Sequence, residues 1–154
     1  MLPSFEPMRL AHLRQPFDHK DWVFELKYDG FRALAYIENG SARVVSRRYN
    51  AYKTFNMLCS QIVQCLRVEN AILDGEIVCL GKDGRPRFHD LLRRRSPQYF
   101  YAFDLLWLNG RDLRGFRSSN ASGCYAALFR RSDPFCLPNT SRALEFLYSM
   151  QPAR

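Results

Sequence analysis

The chain has 154 residues, enough for one domain with a hydrophobic core or for a piece of a larger one. Hydrophobic residues make up 47% of it, which excludes general disorder. The formal net charge of +8 suits a polyanionic partner such as nucleic acid or a nucleoside triphosphate, although ordinary basic surfaces carry similar charge. No apolar run approaches the roughly 20 residues that a membrane helix needs, so no membrane partner is expected.

The cysteines favour a reduced compartment. There are five, none in a C-x-x-C pair. Cys59 and Cys65 fall in a helical pattern and Cys79 in a strand, where they resemble small apolar residues. We therefore expect a cytoplasmic protein. The three histidines lack the spacing of zinc ligands.

The first half of the chain predicts an irregular lead-in followed by hairpins and a helix. Residues 1–20 are rich in Pro, Arg and His, and Glu38-Asn39-Gly40 is a strong hairpin signal. Apolar residues recur at helical spacing from Phe55 to Leu66. The predicted elements are strands over 22–27, 31–37 and 42–46 and a helix over 54–67.

The second half continues with two longer strands. The predicted elements are a strand over 71–80 interrupted at Asp74-Gly75-Glu76, a turn at 82–84, a short helix over 88–94, a strand over 99–108 and a turn at 109–110. Hairpins with intervening helices, rather than βαβ alternation, predict an α+β fold of antiparallel β-sheets with flanking helices. Since no glycine-rich phosphate loop is present, a bound nucleotide would be held by side chains.

The run Glu25-Leu26-Lys27-Tyr28-Asp29-Gly30-Phe31-Arg32 carries the strongest chemical signal. Lys27 ends an apolar stretch, where partial burial disfavours the charged amine and makes it a candidate nucleophile. Asp29 and Arg32 supply charges of both signs for a phosphorylated substrate. The alternative is a strand entering a turn, with Lys27 and Arg32 solvated.

Three later segments hold the other unusual residues. Ser46-Arg47-Arg48 places cations at a strand end. Leu73 to Val78 carries Asp74 and Glu76 on either side of a glycine, where carboxylates can face a metal ion or ribose hydroxyls; the alternative is a β-bulge with solvated acids. Tyr101 to Leu106 is mostly core by composition, but one aromatic ring could stack on a base.

In this order, the four segments resemble the adenylation domain of ATP-dependent DNA ligases, most closely the bacterial type associated with non-homologous end joining. The resemblance covers roughly residues 5–115. It implies a partial nucleotidyltransferase fold over 21–115, after the lead-in 1–20 and before a divergent tail at 116–154.

The resemblance also implies roles for single residues. Lys27 would attack the α-phosphorus of ATP and form lysyl-AMP, which in the family passes to a 5′-phosphate of nicked or broken DNA. The implied partners are this DNA, ATP, Mg²⁺ and end-joining proteins. The implied site residues are Glu25 for the adenine amino group, Arg32 and Arg47 for ribose and phosphate oxygens, Glu76 for the metal and ribose, Asp29 and Asp74 as supporting carboxylates, and Phe103 for stacking on adenine.

The likeness weakens at Arg48, where the family commonly has Asn, and is lost near Phe116. Two later family motifs, a Glu-Gly-hydrophobic run and a Lys-x-Lys element, are absent from 116–154, as is the oligonucleotide-binding domain. We therefore expect a truncated ligase product, altered near residue 116, with weakened catalysis. Each missing electrostatic contact at a transition state costs on the order of 3 kcal/mol.

Two alternatives stay open. An RNA ligase or an RNA-capping guanylyltransferase shares the Lys-x-Asp-Gly motif. A catalytically inactive remnant that binds nucleotide or nucleic acid would keep the same four segments.

Overall fold

The computed structural model describes residues 1–7, 13–19, 28–66 and 68–114. The elements in chain order are β1 (Phe31–Glu38), β2 (Ser41–Ser46), α1 (Asn56–Cys65), β3 (Asn70–Cys79), α2 (Phe88–Arg93), β4 (Gln98–Leu108) and β5 (Arg111–Asp112). The strands form one antiparallel sheet in the order β2-β1-β3-β4-β5. This confirms the expected α+β class with an antiparallel sheet.

Two Asn-Gly pairs close the hairpins of the sheet. Asn39 and Gly40 join β1 to β2 with φ angles of 51° and 71°, the left-handed conformation that a two-residue type I′ turn requires. Asn109 and Gly110 repeat the arrangement between β4 and β5, with φ angles of 44° and 89°. Both turns lie where the sequence predicts them.

The two faces of the sheet bury different sets of side chains. One face packs against the helices, with Leu58 and Ile62 of α1 and Leu91 of α2 in its core. The opposite face carries a smaller apolar cluster of Phe5, Leu34, Tyr36, Val45, Ile72 and Leu106. Phe5, in the irregular segment 1–7, is 3% exposed and covers this cluster. The second face is therefore apolar over only part of its length.

The helix of the first half is shorter than predicted. The pattern predicts 54–67, whereas α1 ends at Cys65 because Leu66 is extended, with φ −106° and ψ 141°. The predicted strand over 22–27 and the tail 116–154 lie outside the described residues. No helix within the described ranges is long and apolar enough to cross a membrane.

Candidate active site

Charged side chains of β1 and β3 meet on the face opposite the helices. Arg32 lies opposite Glu76, and Leu34 lies opposite Asp74. Because side chains two residues apart share a face of a sheet, Arg32, Asp74 and Glu76 point to the same side. This side is polar next to the first residues of β1 and becomes apolar at Leu34.

Arg32 and Asp74 form a two-point ion pair. The Arg32 Nε–H donates to Asp74 Oδ1 at 2.7 Å, and the Nη2–H donates to Oδ2 at 2.8 Å. The side chain of Asp74 is 2% exposed and that of Arg32 is 12% exposed. Both charged groups are therefore largely removed from water, and each compensates the charge of the other. Asp74 is not a solvated acid, which excludes that alternative for this residue.

A β-bulge in β4 brings Phe103 to the same face. Asp74 pairs with Asp104 and Gly75 pairs with Ala102, so Phe103 has no partner in β3 and is the extra residue. β3 itself runs without a break through Asp74-Gly75-Glu76, contrary to the predicted interruption. The irregularity that the sequence suggested is present, but its extra residue belongs to the neighbouring strand.

The bulge places Phe103 against Arg32. The guanidinium carbon of Arg32 lies 4.1 Å from the centre of the Phe103 ring, a cation–π contact. One guanidinium thus links a carboxylate of β3 to an aromatic ring of β4. Phe103 is half-buried.

Gly30 and Glu76 join the segment before β1 to β3. The Gly30 N–H donates to Glu76 Oε1 at 3.1 Å. A Cβ atom on Gly30 would collide with the Ile77 carbonyl oxygen and lie 2.9 Å from Val78 Cγ1. Only glycine allows this approach, which holds the residue after Asp29 against the strand. Asp29 itself is exposed.

Asp104 is a site residue that the sequence reasoning missed. Burial raises the pKa of its carboxyl and the charge of Asp74 raises it further, while the Leu105 N–H and Arg32 lower it. Its Oδ1 accepts the Leu105 N–H at 2.9 Å, so the side chain also fastens the chain next to the bulge. The only signal in the sequence is an acid inside an otherwise apolar strand.

Two tyrosines extend the face beyond Glu76. The rings of Tyr28 and Tyr101 lie 4.5 Å apart, centre to centre. Burial raises the pKa of Tyr101 to about 12, and the charge of Tyr28 and its hydrogen bond contribute to the rise. Tyr28 directly follows Lys27 in the chain, so this contact fixes the position of the residue after the candidate nucleophile.

Arg47 lies in a tight turn at the end of β2. Ser46 Oγ accepts the N–H groups of Arg48 at 3.3 Å and Asn50 at 3.2 Å, which shapes the turn. The side chain of Arg47 is exposed. The pKa of Tyr52 is raised first by burial and then by the charge of Glu76, and it is lowered by the charge of Arg47. Tyr52 therefore lies within electrostatic reach of both residues.

The predicted site residues divide into three groups. Arg32, Asp74 and Phe103 are in direct contact, and Glu76 lies beside them, opposite Arg32 in the sheet. Asp29 and Arg47 lie near the same end of the strands but are exposed. Glu25 and Lys27 lie outside the described residues. In the described ranges, no group of three or more His, Cys, Asp or Glu side chains is arranged to hold a metal ion.

Comparisons with known proteins point to one family. The family model described as "ATP dependent DNA ligase domain" matches residues 7–122. The multifunctional non-homologous end joining protein LigD of Mycolicibacterium smegmatis is 36% identical over 100 residues, which cover 61% of this chain and 13% of LigD. The chain thus spans only a small part of this curated relative.

Two solved structures share the fold. The ligase domain of Mycobacterium tuberculosis LigD matches with a TM-score of 0.53 and 29% identity, over 66% of this chain and 36% of the other. A mycobacterial DNA ligase D complexed with ATP and MES matches with a TM-score of 0.51 and 32% identity, over 62% and 32%. The sheet described above is therefore part of a nucleotidyltransferase fold. Because the family model matches more than half of its residues, the chain belongs to the family of ATP-dependent DNA ligase domains.

Proposed function

We propose that this chain carries the adenylation step of an ATP-dependent DNA ligase, with Lys27 as the nucleophile. The observation that carries the proposal is the cluster of Arg32, Asp74 and Phe103, with Glu76 beside it. Two strands and a bulge of a third gather a cation, carboxylates and an aromatic ring on one face. An adenine nucleotide presents a matching planar base, ribose hydroxyls and phosphates.

Lys27 would take the AMP group from ATP. Its unprotonated Nζ attacks the α-phosphorus, a P–N bond forms, and the bond to the pyrophosphate leaving group breaks. The Gly30–Glu76 hydrogen bond and the Tyr28–Tyr101 contact hold the segment that follows Lys27. Such positioning supports the reaction because phosphoryl transfer depends mostly on geometry and electrostatics.

The remaining residues would bind the nucleotide. Phe103 would stack on adenine, and Glu25 would accept a hydrogen bond from its amino group. Arg32 is already fixed by Asp74 and would contact ribose or phosphate oxygens through its remaining N–H groups. Arg47 is exposed at the end of β2 and would reach a phosphate. Asp29 and Asp74 would act as supporting carboxylates.

The carboxylates present fit a magnesium ion. In nucleotide sites Mg²⁺ is commonly held by one or two carboxylates together with substrate phosphates, so a dedicated three-carboxylate cage is not required. Glu76 would be the protein ligand. The ion would supply positive charge that neutralises the charge developing on the phosphates during transfer.

The comparisons support the DNA ligase reading over the two alternatives. The family model and the relatives described above are DNA ligases, and one of the solved relatives is complexed with ATP. We extend to this chain the later steps of such an enzyme, transfer of AMP to a 5′-phosphate at a DNA break and sealing of the strand. Association with other end-joining proteins is proposed on the same ground.

The proposal is tested with ATP labelled at the α-phosphate. The protein is incubated with labelled ATP and Mg²⁺ and then separated under denaturing conditions. We expect covalent label on the wild type and on Lys53→Ala, a control at an exposed lysine, and none on Lys27→Ala. Equal labelling of the Lys27→Ala variant would contradict the proposal.

The same experiment separates the alternatives. Label from GTP in preference to ATP would indicate a capping-type enzyme. Binding of ATP by a folded protein without covalent label would indicate a catalytically inactive nucleotide-binding remnant.

A further inference from the structure

The sheet brings four chain segments together at one of its two ends. Because neighbouring strands are antiparallel, the end of β2, the start of β1, the end of β3 and the start of β4 meet there. The pairs Ala33–Ser46 and Phe31–Ile77 lie at this end. We name it the entry end, because residues 28–30 enter β1 there.

Positive charge is concentrated in the connections at the entry end. Segments 47–55 and 80–97 contain nine lysine and arginine residues and two acidic ones. The cations are Arg47, Arg48, Lys53, Lys82, Arg85, Arg87, Arg93, Arg94 and Arg95. At the opposite end, the described connections 39–40, 68–69 and 109–110 contain a single charged residue, Glu69. Within the described connections, positive charge is therefore concentrated at the entry end.

Three consecutive arginines lie at the centre of this charge. Arg93, Arg94 and Arg95 are exposed, and no carboxylate of the described residues forms an ion pair with them. Arg94 adopts the left-handed conformation at φ 53° that ends α2. The N–H groups of Arg94 and Arg95 donate to the Leu91 and Asp90 carbonyl groups, so the backbone of this turn is fixed.

The basic segment is anchored on the helix face of the sheet, at the same end as the candidate active site, which lies on the opposite face. Leu91 of α2 is 1% exposed in the core. Phe88 contacts Phe31 edge-to-face, with ring centres 5.8 Å apart. Phe31 directly follows Gly30, which bonds to Glu76. A long polyanion that crosses α2 would therefore pass the end of the sheet where residues 28–30 enter β1.

We infer that residues 82–95 bind the phosphate backbone of duplex DNA and hold it at the end of the sheet where the nucleotide site lies. The inference rests on the proposed function, which supplies DNA as the polyanion. Arg87 of this segment is paired with Asp83, whereas Arg93, Arg94 and Arg95 are exposed without an ion pair among the described residues. Such arginines are suited to phosphate oxygens, and contacts of this kind position a duplex without reading its sequence.

The test is DNA binding as a function of salt concentration. The Lys27→Ala protein is used as the background, so that no covalent chemistry intervenes, and its binding to a labelled nicked duplex is followed by fluorescence anisotropy. One variant adds Arg93→Gln, Arg94→Gln and Arg95→Gln. The matched control adds Arg43→Gln, Arg111→Gln and Arg114→Gln, which removes the same charge away from these connections.

We expect only the first variant to lose phosphate contacts. The slope of log Kd against log salt should fall by about 1 for each arginine that contacts a phosphate, between about 50 and about 200 mM salt. The control should keep the slope of the background protein. Lys82→Gln with Arg85→Gln tests the same segment independently, should the triple variant fail to fold by circular dichroism.

Two results would overturn the inference. Equal loss of binding in both triple variants would show that net charge, not this segment, binds DNA. Tighter binding of an RNA duplex of the same sequence would exclude DNA as the favoured partner. Since binding is measured without adenylation, failure of Lys27 labelling would leave this result interpretable.

Discussion

Arg32 and Asp74 form the buried ion pair of the candidate site. Their side chains are almost completely buried and make two short hydrogen bonds. Removing one partner leaves a buried charge without compensation, which is far more costly than removing both.

Arg32→Met should lower the free energy of unfolding by about 3–5 kcal/mol, because it leaves the Asp74 carboxylate unpaired. Adding Asp74→Leu should recover most of this loss. Urea denaturation measures both. Nucleotide labelling should stay absent in the double variant, which separates the role of the pair in stability from its role in the reaction. An Arg32→Met protein of wild-type stability would contradict the assigned burial.

Phe103→Leu should weaken ATP binding by about 1–3 kcal/mol, the free energy that stacking a base on an aromatic side chain typically contributes. Phe103→Tyr should retain most of the affinity, because it keeps the ring. Titration calorimetry of the Lys27→Ala background with ATP measures the difference. Equal affinity of the Leu and Tyr variants would exclude stacking on Phe103.

The raised pKa of Asp104 predicts a pH-dependent effect on stability. A carboxyl whose pKa is higher in the folded state favours folding while protonated and loses that advantage as pH rises through the folded pKa. Asp104→Asn should therefore stabilise the protein at neutral pH, since the amide oxygen can still accept the Leu105 N–H. The gain in the urea midpoint should shrink as pH falls toward the ordinary carboxyl value of 3.8. A pH-independent difference would show that burial of the charge is not the cause.

At the scale of the elements, the turns were predictable and the bulges were not. Asn39-Gly40 dictates its own conformation, so the hairpin follows from two residues. The bulge at Phe103 depends on how β4 pairs with β3, and the sequence of either strand alone does not contain that register. Asp104 was missed for the same reason, because only the bulge places it opposite Asp74 on the polar face.

The Arg32–Asp74 pair illustrates the same limit. A family resemblance named both residues, but their direct contact depends on the diagonal register of β1 and β3. The Gly30–Glu76 hydrogen bond likewise depends on the register in which β1 pairs with β3.

Substitution of Gly75 tests how closely β3 and β4 approach each other. A Cβ atom there would collide with the Tyr101 carbonyl oxygen and lie 2.6 Å from Phe100 Cζ. Gly75→Ala should therefore cost about 1–3 kcal/mol, measured by urea denaturation, because the neighbouring strand must move. Gly110→Ala is the comparison: it has open space but a φ angle of 89°, so it reports backbone strain alone. A Gly75→Ala protein as stable as the wild type would mean that the strands lie farther apart.

At the scale of the whole molecule, the two ends of the sheet differ in character. The end opposite the entry end is closed by Asn-Gly turns and carries little charge in its described connections. The entry end gathers the candidate nucleotide site and most of the exposed cations of the described residues. Antiparallel pairing places alternate connections at the same end of the sheet, and here the basic connections share the entry end. Composition revealed the positive charge, but only the topology shows where it is concentrated.

Lys27 is the residue proposed to accept AMP from ATP. The most direct measurement is mass spectrometry of the protein after incubation with ATP and Mg²⁺, followed by peptide mapping. We expect one adenylate group per chain, attached to the peptide that contains Lys27 and absent from the Lys27→Ala protein. An adenylate group on a different residue, or none on a folded protein that binds ATP, would contradict this account.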